Sequence, residues 1–273
     1  CPPRGRQFAW GGPALIDMKI SKNLERWSPL IVLAAVLVLW QLIVTLLKVP
    51  EFIFPSPLQI AREFIEFKGP LLEAAWKTFW VTMLGFGIAI VVGVLLGFLV
   101  GSSRLAYTAL YPLMVAFNAV PKAAIVPILV VWFGIGLGPG VLTAFLISFF
   151  PITVNIATGL ATMEPELEDV LRVLGAKRWD VLVKVGLPRS MPYFYASLKI
   201  AITLAFVGTV LAEMTAGDSG IGYLMQSAAS QQRMSLAFAG LVTIGAMAMA
   251  MYELFSWIEK RTTGWAHRGS QAA

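Results

Sequence analysis

The sequence predicts an all-α, polytopic membrane protein with about six transmembrane helices. Three observations carry that prediction. Hydrophobic residues make up 58% of the 273 residues and charged residues only 13%, against about 45–50% and about 25% in soluble domains. Mean hydropathy is +0.77, more apolar surface than one water-soluble core of this size can hide. Finally, apolar runs of spanning length recur along the chain, and the charges fall mostly between them.

Taken in order, Cys1 to Asp17 is rich in Pro, Gly and Arg and lacks an apolar centre, so it reads as a leader outside the fold, with Met18 a better biological start. Trp27 to Leu47 supplies the first span, with Lys19, Lys22 and Arg26 on its cytoplasmic side. Lys48 to Trp76 mixes prolines with an amphipathic run, Leu58 to Phe67, and is expected to lie on the outer surface. These pieces make an N-terminal unit, 18–72, ahead of a transmembrane domain at 73–257 and a basic cytoplasmic tail at 258–273.

The second span, Phe79 to Val100, holds the clearest packing signal. Gly85, Ala89, Gly93, Gly97 and Gly101 recur every fourth residue and form one small-residue ridge. Lipid offers no hydrophobic drive between helices, so close backbone contact along such ridges holds spans together. Leu105 to Phe133 is too long for one ideal span and is interrupted by Pro112, Pro121 and Pro127. Counting it as two crossings would put the charged segment 163–192 and the basic C-terminus outside, against the positive-inside bias, so it counts as one broken crossing. A short uncharged turn, Gly134 to Gly140, leads to the fourth span, Val141 to Ala161. Ala196 to Met214 and Leu236 to Trp257 make the fifth and sixth, separated by an external polar loop, Thr215 to Ser235. Both termini are then cytoplasmic.

The missing motifs exclude whole classes of function. Cys1 and His267 are the only residues of their kinds, so no disulfide framework or Cys/His metal site can form. No phosphate-binding Gly-x-x-x-x-Gly-Lys-Ser/Thr loop, nucleophile elbow or His-Glu-x-x-His helix occurs. No enzyme activity, cofactor or metal is expected. The formal charge of +6 comes from Lys and Arg placed between spans, which argues for membrane topology and against nucleic acid. No carboxylate is expected deep in a span, since Glu213 and Glu253 sit near helix ends. Lys122 is the one ionisable residue in the middle of an apolar stretch. It suits a polar cavity on an anion path or, equally, a snorkelling position. Asn118 and Asn155 fit the same path or interhelical contacts.

The segment from Glu168 to Pro188 is charged and helix-patterned. Leu167, Val170, Leu171 and Leu174 make one apolar stripe, Gly175 ends that helix, and a second from Lys177 to Val185 stops at Leu187-Pro188. Such a hairpin serves either as a docking knob or as a plain amphipathic connector. The segment resembles the cytoplasmic EAA loop of ABC importer permeases: Glu-Ala-Ala, three residues, Gly, nine residues, Ile-x-Leu-Pro. Asp169-Val170-Leu171, Gly175 and Val185-Gly186-Leu187-Pro188 stand at those positions with the spacing intact. The sequence departs from the motif at Asp169, Val170, Leu171 and Val185. The resemblance runs from about Phe54 to about Trp257. It is closest to nitrate/sulfonate/taurine-type permeases, through Val120-Pro121-Lys122-Ala123, Val131-Trp132-Phe133-Gly134, Ala212-Glu213-Met214 and Ser219-Gly220-Ile221-Gly222-Tyr223.

That resemblance implies a type I importer fold in the bacterial inner membrane. It also implies a permease homodimer in membrane lipid, two separate ABC ATPase subunits, and a periplasmic or lipid-anchored substrate-binding protein. The loop at 163–192 would take up the ATPase motion. Glu168, Asp169, Arg172 and Arg178 would pair with a groove rim, Leu171, Leu174 and Trp179 would fill the groove, and Leu187 and Pro188 would fix the loop against the fifth span. The substrate class it suggests is a small polar anion or sulfur compound, with pyrimidine vitamin precursors handled by related permeases. An ion-coupled secondary carrier and a membrane enzyme are the readings from other classes.

Overall fold

The computed structural model describes residues 22–161, 170, 171 and 173–263, and all regular structure among them is helical. The chain divides into two compact units, Cys1–Lys48 and Val49–Ala273. The first contributes α1, Lys22–Leu46. The second holds α2 (Pro57–Glu66), α3 (Lys68–Gly101), α4 (Arg104–Ala119), α5 (Lys122–Phe133), α6 (Leu137–Ala161), α7 (Arg178–Val181), α8 (Leu187–Ala216), α9 (Gly220–Ser230) and α10 (Met234–Thr262). Among the described residues, five helices are long and apolar enough to cross a membrane, and α4 with α5 makes a sixth crossing when the bent pair counts as one span.

The centre of the second unit is a three-helix cluster in which α6 packs against both α3 and α8, which also touch each other. Its core runs through Phe86 and Ala89 of α3, Ala144, Ile152 and Ile156 of α6, and Ala201, Ile202 and Phe206 of α8. The ridge of α3 lies directly on α6. A Cβ added at Gly85 would fall 2.5 Å from the Val141 carbonyl oxygen, one at Gly93 2.9 Å from Ile152 Cβ, and one at Gly97 2.8 Å from Ile156 Cβ. Gly101 meets Leu160 in the same way, and Ala89 is fully buried. Hydroxyls inside this cluster bond back to their own helices, as Thr143 Oγ1 does to the Pro139 carbonyl (2.7 Å) and Thr153 Oγ1 to Phe149 (2.9 Å). A buried polar side chain in an apolar layer is affordable only when so satisfied.

Several element limits differ from the sequence expectations. The amphipathic run after the first span folds as α2, started by Ser56 and Gln59 in a reciprocal capping box with Pro57 in the first turn. Residues from Lys68 onward, expected on the surface, instead begin α3. At 34 residues this helix reaches about 51 Å, well beyond an apolar layer of about 30 Å. Its charged first turns can therefore sit in water while its glycine ridge stays in lipid depth. The loop expected at Thr215 to Ser235 contains a helix, α9, between Gly217 and Gln231. The crossing interrupted by prolines is broken by 82° between α4 and α5. Val120 before Pro121 is extended, with φ −64° and ψ 126°, as the proline ring demands of its predecessor.

Candidate functional site

At one end of the bundle lies the hairpin ahead of α8. Glu168, Asp169 and Arg172 lie outside the described residues. Gly175 has φ +86°, and the Ala176 N–H bonds the Leu171 carbonyl at 3.0 Å. That is a Schellman helix stop with glycine at the left-handed position. An added Cβ on Gly175 would meet nothing within 4 Å, so backbone conformation rather than space selects glycine here. Val173 is 88% exposed and Leu174 77%, while Leu171 is half-buried. Arg178 and Trp179 stand in α7. A cleft of about 240 Å³ runs between the two arms, lined by Leu171, Leu174, Asp180, Val181 and Lys184.

Leu187 and Pro188 do not stop the second arm. The chain passes from α7 through one π-helical turn, Leu182–Gly186, directly into α8, with Pro188 in that helix's first turn. Pro188 has no N–H to give the preceding turn, and a widened turn just before it absorbs the missing bond. The hairpin's second arm and the fifth span are thus one continuous helical rod.

The broken crossing brings Asn118 and Lys122 together. Lys122 Nζ donates to the backbone carbonyl of Asn118 and to its Oδ1, the latter at 2.8 Å. The break leaves the last carbonyls of α4 without helical partners, and a cation at that negative helix end satisfies them. Asn155 instead donates within α6 to the Pro151 carbonyl at 2.8 Å. Lys122→Leu is expected to cost about 0.3–1 kcal/mol, the range for a cation at a helix C-terminus, seen as a small drop in melting temperature that Lys122→Arg restores. Unchanged stability with a selective loss of uptake would favour the path role over the cap.

At the opposite end of α8 the structure places a group that sequence reasoning missed. Glu213 stands near the C-terminal end of α8, as expected, but is only 7% exposed, enclosed by neighbouring helices. Its carboxylate accepts from Thr78 Oγ1 of α3 at 2.9 Å and from the Gly222 N–H of α9 at 2.9 Å. Thr78 Oγ1 in turn accepts the Ile221 N–H at 2.8 Å. One step deeper, Thr82 and Thr209 join α3 to α8 at 2.9 Å. The partners lie up to 143 residues apart, and locally the sequence offered Glu213 near a helix end and the two runs of the resemblance, Ala212-Glu213-Met214 and Ser219-Gly220-Ile221-Gly222-Tyr223, without showing that they meet.

The same end carries a lashing between α2 and α10. Arg233 bonds Glu63 at 3.0 and 3.1 Å and lies over the Phe67 ring, while Ser235 donates to Glu51 at 2.6 Å. A cleft of about 360 Å³ opens there among Glu73, Lys77, Tyr223, Ser227, Gln231 and Arg233.

Long apolar helices in near-backbone contact, one crossing broken midway and a hairpin arm continuous with a span define a polytopic helical membrane protein. Residues 89–264 match the family described as "Binding-protein-dependent transport system inner membrane component". The chain belongs to that family, and it is a multi-pass inner-membrane permease subunit of an ABC importer. It is similar to the riboflavin transport system permease protein RibX of Chloroflexus aurantiacus, at 32% identity over 89% of this chain and 94% of that protein. It is also similar to the taurine transport system permease protein TauC of Escherichia coli, at 27% identity over 85% and 87%. In fold it matches a chain of the MetNI methionine ABC transporter in an inward-facing form. The TM-score is 0.64 at 18% identity, covering 72% of this chain and 98% of that one.

Proposed function

We propose that this permease pairs with a second permease copy and carries a small polar or anionic solute inward, driven by two separate ATPase subunits. The hairpin end faces the ATPases in the cytoplasm, where both termini lie. The Glu213 end faces a periplasmic or lipid-anchored substrate-binding protein. The observation that supports this most is the hairpin itself. A subunit with no phosphate-binding loop must receive work through a surface, and here exposed Val173 and Leu174 end the first arm, which Gly175 turns onto a second arm that passes unbroken into α8. Glu168, Asp169, Arg172, Arg178 and Trp179 complete the docking face in this reading. Movement of the rod then shifts α8 against α6 and changes the opening of the bundle.

For substrate we favour a nitrate-, sulfonate- or taurine-like compound. One relative is named for taurine and another for riboflavin, so a pyrimidine or vitamin precursor is the second reading. The test is cross-linking from Val173→Cys or Leu174→Cys to a copurifying ATPase, with uptake in vesicles requiring ATP. The expected result is a permease–ATPase adduct and vanadate-sensitive uptake. Ionophore-sensitive uptake by the purified chain alone would instead establish a secondary carrier.

A further inference from the structure

We propose that Glu213 is a positioning residue for transport: its carboxylate clamps α9 to α3 and α8, so that the three move as one body when the spans rearrange. This rests on the permease reading above. A helix begins with unpaired N–H groups that something must satisfy. The side chain of Ser219, at the N-cap of α9, does not cap it and donates to Asp218 at 2.9 Å instead. The caps come from two other helices: Glu213 of α8 takes the Gly222 N–H, and Thr78 of α3 takes the Ile221 N–H. Thr78 then spends its own hydrogen on Glu213, which closes the ring of bonds.

The glycines show how closely the parts fit. A Cβ on Gly222 would fall 2.5 Å from the Val210 carbonyl oxygen, and one on Gly220, at φ +93°, would run into the Glu213 carboxylate. Among the described residues no other charged side chain is as buried. Opening the clamp strands a carboxylate and two N–H groups in a place nearly closed to water, which favours all three helices keeping together. The clamp therefore fixes one wall of the cleft of about 360 Å³ that Tyr223 and Ser227 of α9 share with Glu73 and Lys77 of α3. A motion imposed on α8 from the hairpin end then reaches that wall without slack.

The experiment uses the full importer in proteoliposomes, with spin labels at the exposed positions Glu73 and Gln226. The expected result is a narrow distance distribution in the unmodified clamp, broadened by Glu213→Ala and by Thr78→Val. Uptake per ATP hydrolysed falls about tenfold in both, within the range of a lost coupling free energy between two moving elements, and Glu213→Gln recovers part of it. A residue with a merely structural role would reduce assembled protein and leave uptake per ATP unchanged. Distances unaltered in both variants overturn the clamp. Widened distances with unaltered uptake per ATP overturn its part in transport. Should Glu213→Ala fail to insert, Thr78→Val keeps the side-chain size and carries both readouts. An unmodified importer without ATP-driven uptake would strike the permease reading instead, and the distances alone would still decide the clamp.

Discussion

Gly175→Arg is expected to insert and fold but to support no ATP-driven uptake. The residue occupies φ +86°, where any side chain but glycine costs roughly 1–2 kcal/mol in backbone strain. Open space around the position means that the added side chain meets no internal wall. The damage is therefore local: the Schellman stop loosens, the angle between the arms changes, and a long cation stands beside Val173 and Leu174 on the docking face. Gly175→Glu should behave alike. Gly175→Asn tolerates the left-handed region and is expected to keep a substantial part of uptake, which separates bulk from backbone. The measurement is uptake and ATP hydrolysis in proteoliposomes at matched protein levels. Normal uptake with Gly175→Arg would refute the hairpin as the coupling element.

Gly97→Leu is expected to prevent a stable bundle. Its first added carbon would lie 2.8 Å from Ile156 Cβ and 2.9 Å from the Thr153 carbonyl oxygen. That oxygen is backbone and cannot turn aside, so α3 and α6 must separate along the ridge. Overpacking of this kind costs about 1–3 kcal/mol or more, a large share of a stability of about 5–15 kcal/mol. Gly87→Ala supplies the control, because a Cβ there meets nothing within 4 Å on the same helix. Stability measured by detergent denaturation should fall sharply for the first and hold for the second. Equal behaviour of the two would mean that the ridge carries no packing energy.

The ridge was legible because small residues at a period of four can be read without knowing their partner. The partner, α6, was not, since nothing in residues 141–161 announces which neighbour they face. Span centres were likewise plain from hydropathy, while helix ends were misplaced wherever a helix outruns the apolar layer, as α3 does from Lys68. Glycine and proline misled in two places. The glycines before α9 suggested a loop, yet they are there to let a helix start against Glu213. Pro188 suggested a stop, yet a π turn carries the helix through it. Gly175 was read correctly as a helix end because its neighbours on both sides keep helical patterning. The Glu213 cluster stayed hidden since its bonds join residues 9, 135 and 143 positions apart. The charged members of the hairpin at Glu168, Asp169 and Arg172 rest on spacing alone.

Lys199 of α8 and Glu259 of α10 meet at 2.6 Å, with side chains only 17% and 13% exposed. During synthesis the lysine emerges 60 residues before the acid that will neutralise it. A lone ammonium in a lipid-bound segment carries an insertion penalty, about 2.5–3.5 kcal/mol at a span's centre and less near its end, where Lys199 stands in a span read as Ala196 to Met214. The fifth span thus has reason to linger beside the insertion machinery until the sixth arrives, which makes the final helical pair a single unit of biogenesis.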